Sequence, residues 1–343
     1  FGLIVALSMT YCVLELLKKL AQHFGGYDTP SSQRLNKVVA CGFTMEIVFL
    51  GTSSMVPTKE RNQSSILINY KTEGIMVDCG EGTQRQFKIT GIPLTKVTKI
   101  LISHWHGDHV LGLPGLIQTL SSSTTEHRLQ VFGPRGTKEQ FDHMKKAFYM
   151  ENGSSSLTLE VNDVEKEIVF ENNDFFIKAK KLQHSVPCLG YSIVEKDKVH
   201  VNINAAKKLG LPEGPMLGQL QQGKSVAWKG KQIKPDEVTF TTKGKKVTVV
   251  MDTELCSSAV ELAEGSDLLI CEATYANELE EKASGYKHLT AGQAAMIANK
   301  AGVAKLVLTH FSQRYKNTQK LEEDARTTFD NVVCAKDFMR VTV

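Results

Sequence analysis

The run Ser103-His-Trp-His-Gly-Asp-His109 constrains this chain more than any other feature, because it places three histidines and an aspartate within six residues. It follows 99–103, whose β-branched content predicts a strand. Imidazole and carboxylate are the ligands that zinc uses for hydrolysis. One cation cannot take all four groups at this spacing, and alternate side chains point different ways. The run therefore predicts two adjacent metal sites, with a solvated polar loop as the alternative.

Two metal sites need more than four ligands, so other parts of the chain must supply them. Three candidates each follow an apolar run that predicts a strand: His184 after 175–182, Asp252 after 246–251 and His310 after 305–309. Catalytic groups gather at the carboxyl ends of strands in α/β folds. The expected division is one zinc ion on His104, His106 and His184, a second on Asp108, His109 and His310, and Asp252 as the bridge.

Two adjacent zinc ions can activate water near neutral pH and hold the oxygens of a phosphodiester. The departing 3′ oxygen then needs a proton, and Glu272 and His288 are the candidates for its source. A carboxylate behind an imidazole sets the tautomer of the ring and raises its pKa. His288 also lies just before the capping box formed by Thr290 and Gln293, so a purely surface role for it stays open.

The amino-acid composition is compatible with many functions and excludes only a few classes of protein. The 343 residues are 41% hydrophobic and 23% charged, as in an ordinary globular protein. The net charge of +4 is compatible with a polyanionic partner without requiring one. The seven cysteines contain no C-x-x-C pair, which excludes a zinc ribbon, and we interpret them as free thiols in a reducing cytosol. No apolar run is long enough to predict a transmembrane helix.

From Met45 onward, short apolar runs alternate with helical patterns at 112–120, 137–149, 259–264 and 291–301. This alternation predicts two sheets with helices outside them, a layered α/β fold. The segment 195–235 is rich in Lys, Gln, Gly and Pro and is expected to leave the body. We interpret residues 1–44 as an extension outside the catalytic fold, either non-native or read from upstream of a start at Met45. A targeting or anchoring segment is the alternative.

The chain from Met45 to its C-terminus resembles the metallo-β-lactamase superfamily and, within it, the short form of the ribonuclease Z family. Two segments narrow the resemblance to that branch: Pro57-Thr-Lys-Glu-Arg-Asn62, and Leu211-Pro-Glu-Gly-Pro215 followed by Gly218. The motifs shared with the family are Phe49-Leu-Gly-Thr-Ser, Val77-Asp-Cys-Gly-Glu-Gly-Thr-Gln84, His104-Trp-His-Gly-Asp-His-Val-Leu-Gly-Leu-Pro-Gly-Leu116 and Leu308-Thr-His-Phe-Ser-Gln-Arg-Tyr315.

The resemblance implies an αββα sandwich over residues 45–343 with 195–225 as a protruding tRNA-binding arm. It implies a cytoplasmic, homodimeric zinc endoribonuclease that removes the 3′ trailer from precursor tRNA, leaving a 3′-hydroxyl on the tRNA and a 5′-phosphate on the trailer. It makes the seven residues above zinc ligands, with Asp108 also the general base and Glu272 and His288 the proton relay. The implied substrate-binding residues are Lys59, Arg61, Asn62, Gly214, Pro215 and Arg314.

Three short segments depart from the family pattern. Cys271-Glu-Ala-Thr stands where His-Glu-Ala-Thr is common, His288-Leu-Thr where His-Ser-Thr is common, and Met251-Asp-Thr where Gly-Asp-Thr is common. Two other functions stay open. A hydrolase of the same fold acting on a small ester, lactone or sulfate would keep the ligands without needing the 57–62 loop or the arm. A non-catalytic RNA-binding relative would lack some of the seven ligands.

Overall fold

The computed structural model describes residues 44–123, 126–150 and 156–343. These residues belong to one compact unit, Phe43–Val343. The expected extension 1–44 therefore lies outside the described residues, apart from Thr44.

The N-terminal half of the body forms a seven-stranded sheet. Its interior strands are buried on both faces, which is why they read as continuous apolar runs rather than as alternating ones. In spatial order the strands are β18 (Arg340–Thr342), β1 (Glu46–Gly51), β2 (Ser65–Tyr70), β3 (Glu73–Val77), β4 (Val97–Leu101), β5 (His127–Gly133) and β6 (Leu157–Asp163).

The C-terminal half forms a second seven-stranded sheet. Its strands β14 to β17 are parallel neighbours, so their carboxyl ends meet at one edge. In spatial order the strands are β17 (Val332–Cys334), β16 (Leu306–Thr309), β15 (Leu268–Glu272), β14 (Lys246–Val250), β9 (Cys188–Glu195), β8 (Phe175–Leu182) and β7 (Ile168–Glu171).

Apolar clusters divide the body into layers. Ile47 and Phe49 of β1 pack with Ile177 and Val249 of the second sheet, whereas Val48 points the other way, toward helices. The helices of the first half are α1 (Thr83–Thr90), α2 (Gly107–Val110), α3 (Leu113–Ser121) and α4 (Thr137–Ala147). Those covering the second half are α8 (Ser257–Ala263), α9 (Glu280–Gly285), α10 (Ala291–Lys300) and α11 (Gln319–Arg326). The predicted layered α/β fold is confirmed.

The excursion from the second sheet extends beyond both the 195–235 that its composition indicates and the 195–225 that the resemblance implies for the arm. Its first strand, Lys198–Val201, pairs antiparallel with its last, Thr239–Thr242, so it runs from Lys198 to Thr242. Leu211, Leu220 and Ile233 are among the residues of its own small core. Its elements are β10 (Lys198–Val201), α5 (Ile203–Lys208), α6 (Pro215–Gln221), β11 (Val226–Trp228), β12 (Lys231–Ile233), α7 (Pro235–Val238) and β13 (Thr239–Thr242). We call residues 198–242 the arm.

Candidate metal centre

The histidine-rich segment leaves β4 and turns into α2. Cys79 donates its N–H to the carbonyl of His109 at 2.8 Å, and Gly112 donates to the carbonyl of Cys79 at 2.9 Å. A Cβ at Gly112 would lie 2.2 Å from the carbonyl oxygen of Gly80, so only glycine allows this approach. Two turns locked together by backbone hydrogen bonds therefore fix the direction of the histidines.

Three imidazoles and one carboxylate form the first group. The Nδ1 of His106 lies 3.0 Å from the Nε2 of His104 and 3.2 Å from the Nε2 of His184. The Oδ2 of Asp252 lies 3.6 Å from the Nε2 of His104 and 3.9 Å from that of His184. These ring nitrogens and the carboxylate oxygen converge on one small volume.

The second group adjoins the first. The Oδ2 of Asp108 lies 3.3 Å from the Nε2 of His109 and 3.5 Å from the Nε2 of His310. Asp252 contacts this group as well, with its Oδ1 3.2 Å from the Nε2 of His310. The structure therefore brings together all seven side chains that the sequence singled out, and it places Asp252 between the two groups.

Unpartnered polar atoms test whether these groups fit a metal. The Nε2 atoms of His109 and His310 and the Oδ1 of Asp252 are buried and have no hydrogen-bond partner within the described residues. Buried polar atoms are normally satisfied, and orphans that point at one another call for a ligand between them. Imidazole nitrogens and carboxylate oxygens are donors that zinc accepts. The residues fit a metal ion in each group.

In His109 and His184, the ring nitrogen that faces away from the cluster, Nδ1, contacts a neighbouring polar group. The Oδ2 of Asp78 lies 2.7 Å from the Nδ1 of His109, and Asp78 also accepts the N–H of Ser103 at 2.7 Å. The Nδ1 of His184 donates to the carbonyl of Lys287 at 3.0 Å. Such contacts fix tautomer and ring direction. Sequence reasoning missed Asp78, although it directly follows the strand Glu73–Val77 just as other candidates follow theirs.

The histidine after β16 has a strained backbone. His310 has φ of 61°, in the left-handed region that few non-glycine residues adopt. Thr274 lies 2.9 Å from its Nδ1 through Oγ1, and Phe311 next to it donates its N–H to the carbonyl of Thr52 at 2.9 Å. One contact to the ring and one to the backbone of the next residue thus hold a conformation that the residue alone would avoid.

Glu272 and His288 form a pair beside the second group. The Nδ1 of His288 lies 3.1 Å from the Oε1 of Glu272, which also accepts the N–H of Thr253 at 2.8 Å. Burial disfavours the charged ring, but Glu272 and Asp252 outweigh it and raise the pKa of His288 to about 9. His288 is thus a half-buried imidazole whose orientation is set by a carboxylate. It also adjoins Asp252 and His310 closely enough to share a cation with them.

The charges of the two groups depend on one another. Burial raises the pKa of Asp108, but the nearby imidazoles of His109 and His310 outweigh it, so the pKa lies well below its ordinary value. Burial and repulsion from His109 lower the pKa of His104. The carboxylates are therefore anionic and His104 is a neutral donor, the protonation states in which these side chains bind metals.

The predicted substrate-binding residues fall into two sets. Lys59, Gly214, Pro215 and Arg314 are exposed. Arg61 is buried: it donates to the carbonyl of Tyr315 and lies 5.9 Å from the centre of the Phe311 ring.

Asn62 donates its side-chain N–H to the carbonyl of Glu81 at 2.7 Å. Arg61 and Asn62 thus make contacts that hold the 57–62 loop within the protein, and their contact with RNA stays a prediction.

A second acid that the sequence did not indicate anchors this loop. Asp337 accepts hydrogen bonds from Thr52 Oγ1 at 2.7 Å, the N–H of Asn62 at 2.8 Å and Gln86 Nε2 at 3.0 Å. Burial raises its pKa to about 6. Asp337 lies far from any motif and its three donors come from distant segments, so only the folded chain reveals it.

A sandwich of two sheets, with helices outside and a histidine–aspartate cluster at the sheet edge, defines the metallo-β-lactamase class of metal-dependent hydrolases. The structure superposes with a TM-score of 0.64 on the metallo-β-lactamase fold protein YhfI from Bacillus subtilis, over 88% of this chain and 100% of that chain. The identity is 19%, so this likeness concerns the fold alone. The predicted fold class is confirmed.

Comparison with related proteins shows to which family within this class the chain belongs. Over 304 residues the chain is 38% identical to ribonuclease Z of Methanosarcina acetivorans, covering 87% of this chain and 98% of the relative. Ribonuclease Z of Methanothermobacter thermautotrophicus is 41% identical over 300 residues, covering 87% and 97%. Human tRNase Z, short form, superposes with a TM-score of 0.63 at 26% identity, over 87% of this chain and 98% of that chain. The family profile described as Anti-Pycsar protein Apyc1 matches residues 45–202. This chain belongs to the ribonuclease Z family, as its motifs predict.

Proposed function

We propose that this chain is the endoribonuclease that removes the 3′ trailer from precursor tRNA. The observation that carries the proposal is the cluster of seven imidazole and carboxylate groups beside the Glu272–His288 pair, in a cavity of about 640 Å³. Family membership makes RNA the substrate class. The chain covers nearly the full length of its ribonuclease Z relatives, so no large part of their fold is missing from it.

Two zinc ions are the proposed cofactor. His104, His106 and His184 would hold one ion, Asp108, His109 and His310 the other, and Asp252 both. When bound, zinc lowers the pKa of water and stabilises negative charge on phosphodiester oxygens.

The chain supplies the proton relay. Asp108, itself a member of the second group, is assigned as general base toward the attacking water. Glu272 orients His288, which donates a proton to the departing 3′ oxygen of the ribose. Attack by water leaves a 3′-hydroxyl on the tRNA and a 5′-phosphate on the trailer, with no use of the 2′-hydroxyl.

The parts of the RNA away from the cut site are assigned to the arm and to the face of the catalytic body. The arm with Gly214 and Pro215 binds the body of the tRNA, whereas Lys59 and Arg314 lie on the face of the catalytic body. Arg61 and Asn62 hold the 57–62 loop in place. By resemblance to the family, the enzyme is proposed to act as a homodimer in the cytoplasm. Within the described residues, no helix is long and apolar enough to cross a membrane.

The test is cleavage of an end-labelled precursor tRNA by purified protein, before and after treatment with a chelator. We expect one cut at the 3′ end, a 3′-hydroxyl on the tRNA fragment and loss of activity on chelation. Elemental analysis should find two zinc ions per chain in active protein. A cyclic phosphate at the tRNA end would contradict the mechanism. Hydrolysis of small esters without tRNA cleavage would favour the other class of hydrolase.

A further inference from the structure

Large apolar side chains surround the mouth of the metal cavity. Met55, Leu111 and Tyr286 line it, and they are 69%, 53% and 62% exposed. They are three of the four most exposed large apolar side chains in the described part of the chain. A larger cavity of about 790 Å³ elsewhere on the surface has mainly charged walls, with Phe338 as its exposed large apolar side chain. Exposed apolar surface is therefore concentrated at the metal centre.

Backbone hydrogen bonds connect the segment around each of these residues to a segment that carries a residue of the cluster. Leu111 lies two residues after His109 and donates its N–H to the carbonyl of Gly107 at 2.9 Å. Ser54, next to Met55, donates its N–H to the carbonyl of Phe311, beside His310, at 3.0 Å.

Tyr286 belongs to the turn that ends α9. It donates its N–H to the carbonyls of Lys282 and Ala283, both at 3.2 Å, and His288 in the same turn donates to Ala283 at 2.9 Å. The carbonyl of Lys287, between Tyr286 and His288, fixes His184. The position of the tyrosine ring is therefore coupled to the position of two cluster imidazoles.

We infer that Met55, Leu111 and Tyr286 form a rim that binds the two unpaired nucleobases on either side of the scissile phosphate. The inference rests on the proposed function. A phosphodiester held at the cluster must direct its two nucleosides toward the mouth of the cavity. Exposed aromatic and apolar side chains there match the faces of unstacked bases, which proteins that bind single-stranded RNA hold in this way.

The position of the proton donor assigns the bases to sides. His288 serves the 3′ oxygen of the last tRNA nucleotide, so Tyr286, two residues away, stacks on the base 5′ of the cut. Leu111 and Met55 come from other segments, beside His109 and His310, and contact the first base of the trailer. The rim is thus a specificity and positioning surface for the reaction, because it aligns both nucleosides with the cluster.

The experiment combines enzyme variants with precursor tRNAs that carry a single abasic residue, either 5′ or 3′ of the cut. With wild-type enzyme, each abasic site should lower kcat/KM about ten-fold, the effect of losing one base–aromatic contact. Tyr286→Ala should lower kcat/KM about ten-fold on the normal substrate and be insensitive to the 5′ abasic site. Leu111→Ala should be less sensitive than wild type to the 3′ abasic site, and Leu111→Ala combined with Met55→Ala should be insensitive to it, because both side chains contact that base. Tyr286→Phe should behave as wild type.

The controls are Tyr149→Ala and Ile89→Ala, which remove exposed apolar side chains that do not line the cavity. Metal content and the thermal midpoint should be unchanged in every variant.

Additive effects of variant and abasic site would overturn the inference while leaving the proposed function intact. A Tyr286→Ala protein with a changed molar mass by light scattering would make the rim a subunit interface and also overturn it. Wild-type enzyme that fails to cut precursor tRNA would remove the proposed function itself.

Discussion

The metal centre and the part of the arm between its base strands β10 and β13, which we call the arm tip, both concentrate polar groups, but they hold them differently. In the centre, Asp78 fixes the ring of His109 and the Lys287 carbonyl fixes that of His184. At the arm tip, Lys207, Lys208 and Lys224 are exposed, and no ion pair is found for them in the described part of the chain. One region holds its side chains in single positions, and the other leaves them in water.

The base of the arm resembles the body more than the tip. Lys196 pairs with Glu171 at 2.5 Å, and Lys198 pairs with Glu195. Because carboxylates already neutralise these two lysines, the unpaired positive charge of the arm lies at its tip.

This difference matches two tasks: the metal centre carries out the chemical step, and the arm binds the tRNA. Catalytic groups must be held within fractions of an ångström, so each needs partners behind it. Phosphate contacts are electrostatic, and a mobile lysine makes them adequately. Changes in the centre should therefore abolish turnover on any phosphodiester, whereas changes in the arm should weaken capture of tRNA alone.

The strongest test of the centre is Asp252→Ala. Asp252 faces both groups, so its loss should lower zinc occupancy at both sites together. The kcat on precursor tRNA and on a small phosphodiester should each fall on the order of 10⁴-fold or more, as when a catalytic unit is broken. Elemental analysis and steady-state kinetics measure this. Asp142→Ala, at an exposed surface ion pair, is the control. Retention of one full metal site would show that Asp252 is not shared.

The next effect is on proton transfer. His288→Ala should lower kcat on precursor tRNA by about 10²–10⁴-fold and leave KM nearly unchanged, because a general acid acts in the transition state. His143→Ala on the exposed face of α4 is the matched control. Equal changes in kcat and KM would make His288 a structural residue. A drop in metal content would instead make it a ligand, together with Asp252 and His310.

These residues also show which features of the fold and the site can be predicted from the sequence alone. The strand 175–182 and the capping box of Thr290 with Gln293 are present as predicted, because local patterns determine them. The seven cluster residues could be found because four lie in one histidine-rich run and the other three each follow an apolar strand. Asp78 obeys the same rule and was missed, since a hydrogen-bond partner of a ligand carries no histidine motif to mark it.

Other features needed the fold itself. The burial of Arg61 depends on Phe311 and Tyr315, some 250 residues further along the chain, so no local pattern predicts it. The extent of the arm, 198–242, is another such feature. Its helices have only one or two turns, too few for a periodic signal, and its closing strand β13 pairs with β10 across about forty residues.

The arm can be removed at its base without disturbing the body. Glu195 donates its N–H to the carbonyl of Lys245 at 2.8 Å, so the two ends of the excursion lie side by side. Replacing 197–243 by a short glycine turn should raise the KM for precursor tRNA about 10²-fold and leave hydrolysis of a small phosphodiester unchanged. Metal content and cooperative unfolding serve as controls. Normal KM for tRNA would refute the arm assignment, and loss of both activities in folded, zinc-loaded protein would place the segment in the active site.

The smallest expected effect comes from single lysines. Lys208→Ala at the arm tip should weaken binding of precursor tRNA only about two-fold at moderate salt. It should also reduce the slope of log affinity against log salt concentration by about one, because one phosphate contact is lost. Lys198→Ala at the base should change the slope less, since Lys198 is already paired with Glu195. Lys138→Ala, exposed on α4, controls for a general loss of charge. Equal slopes for all three variants would mean that the arm attracts RNA through net charge rather than through contacts at its tip.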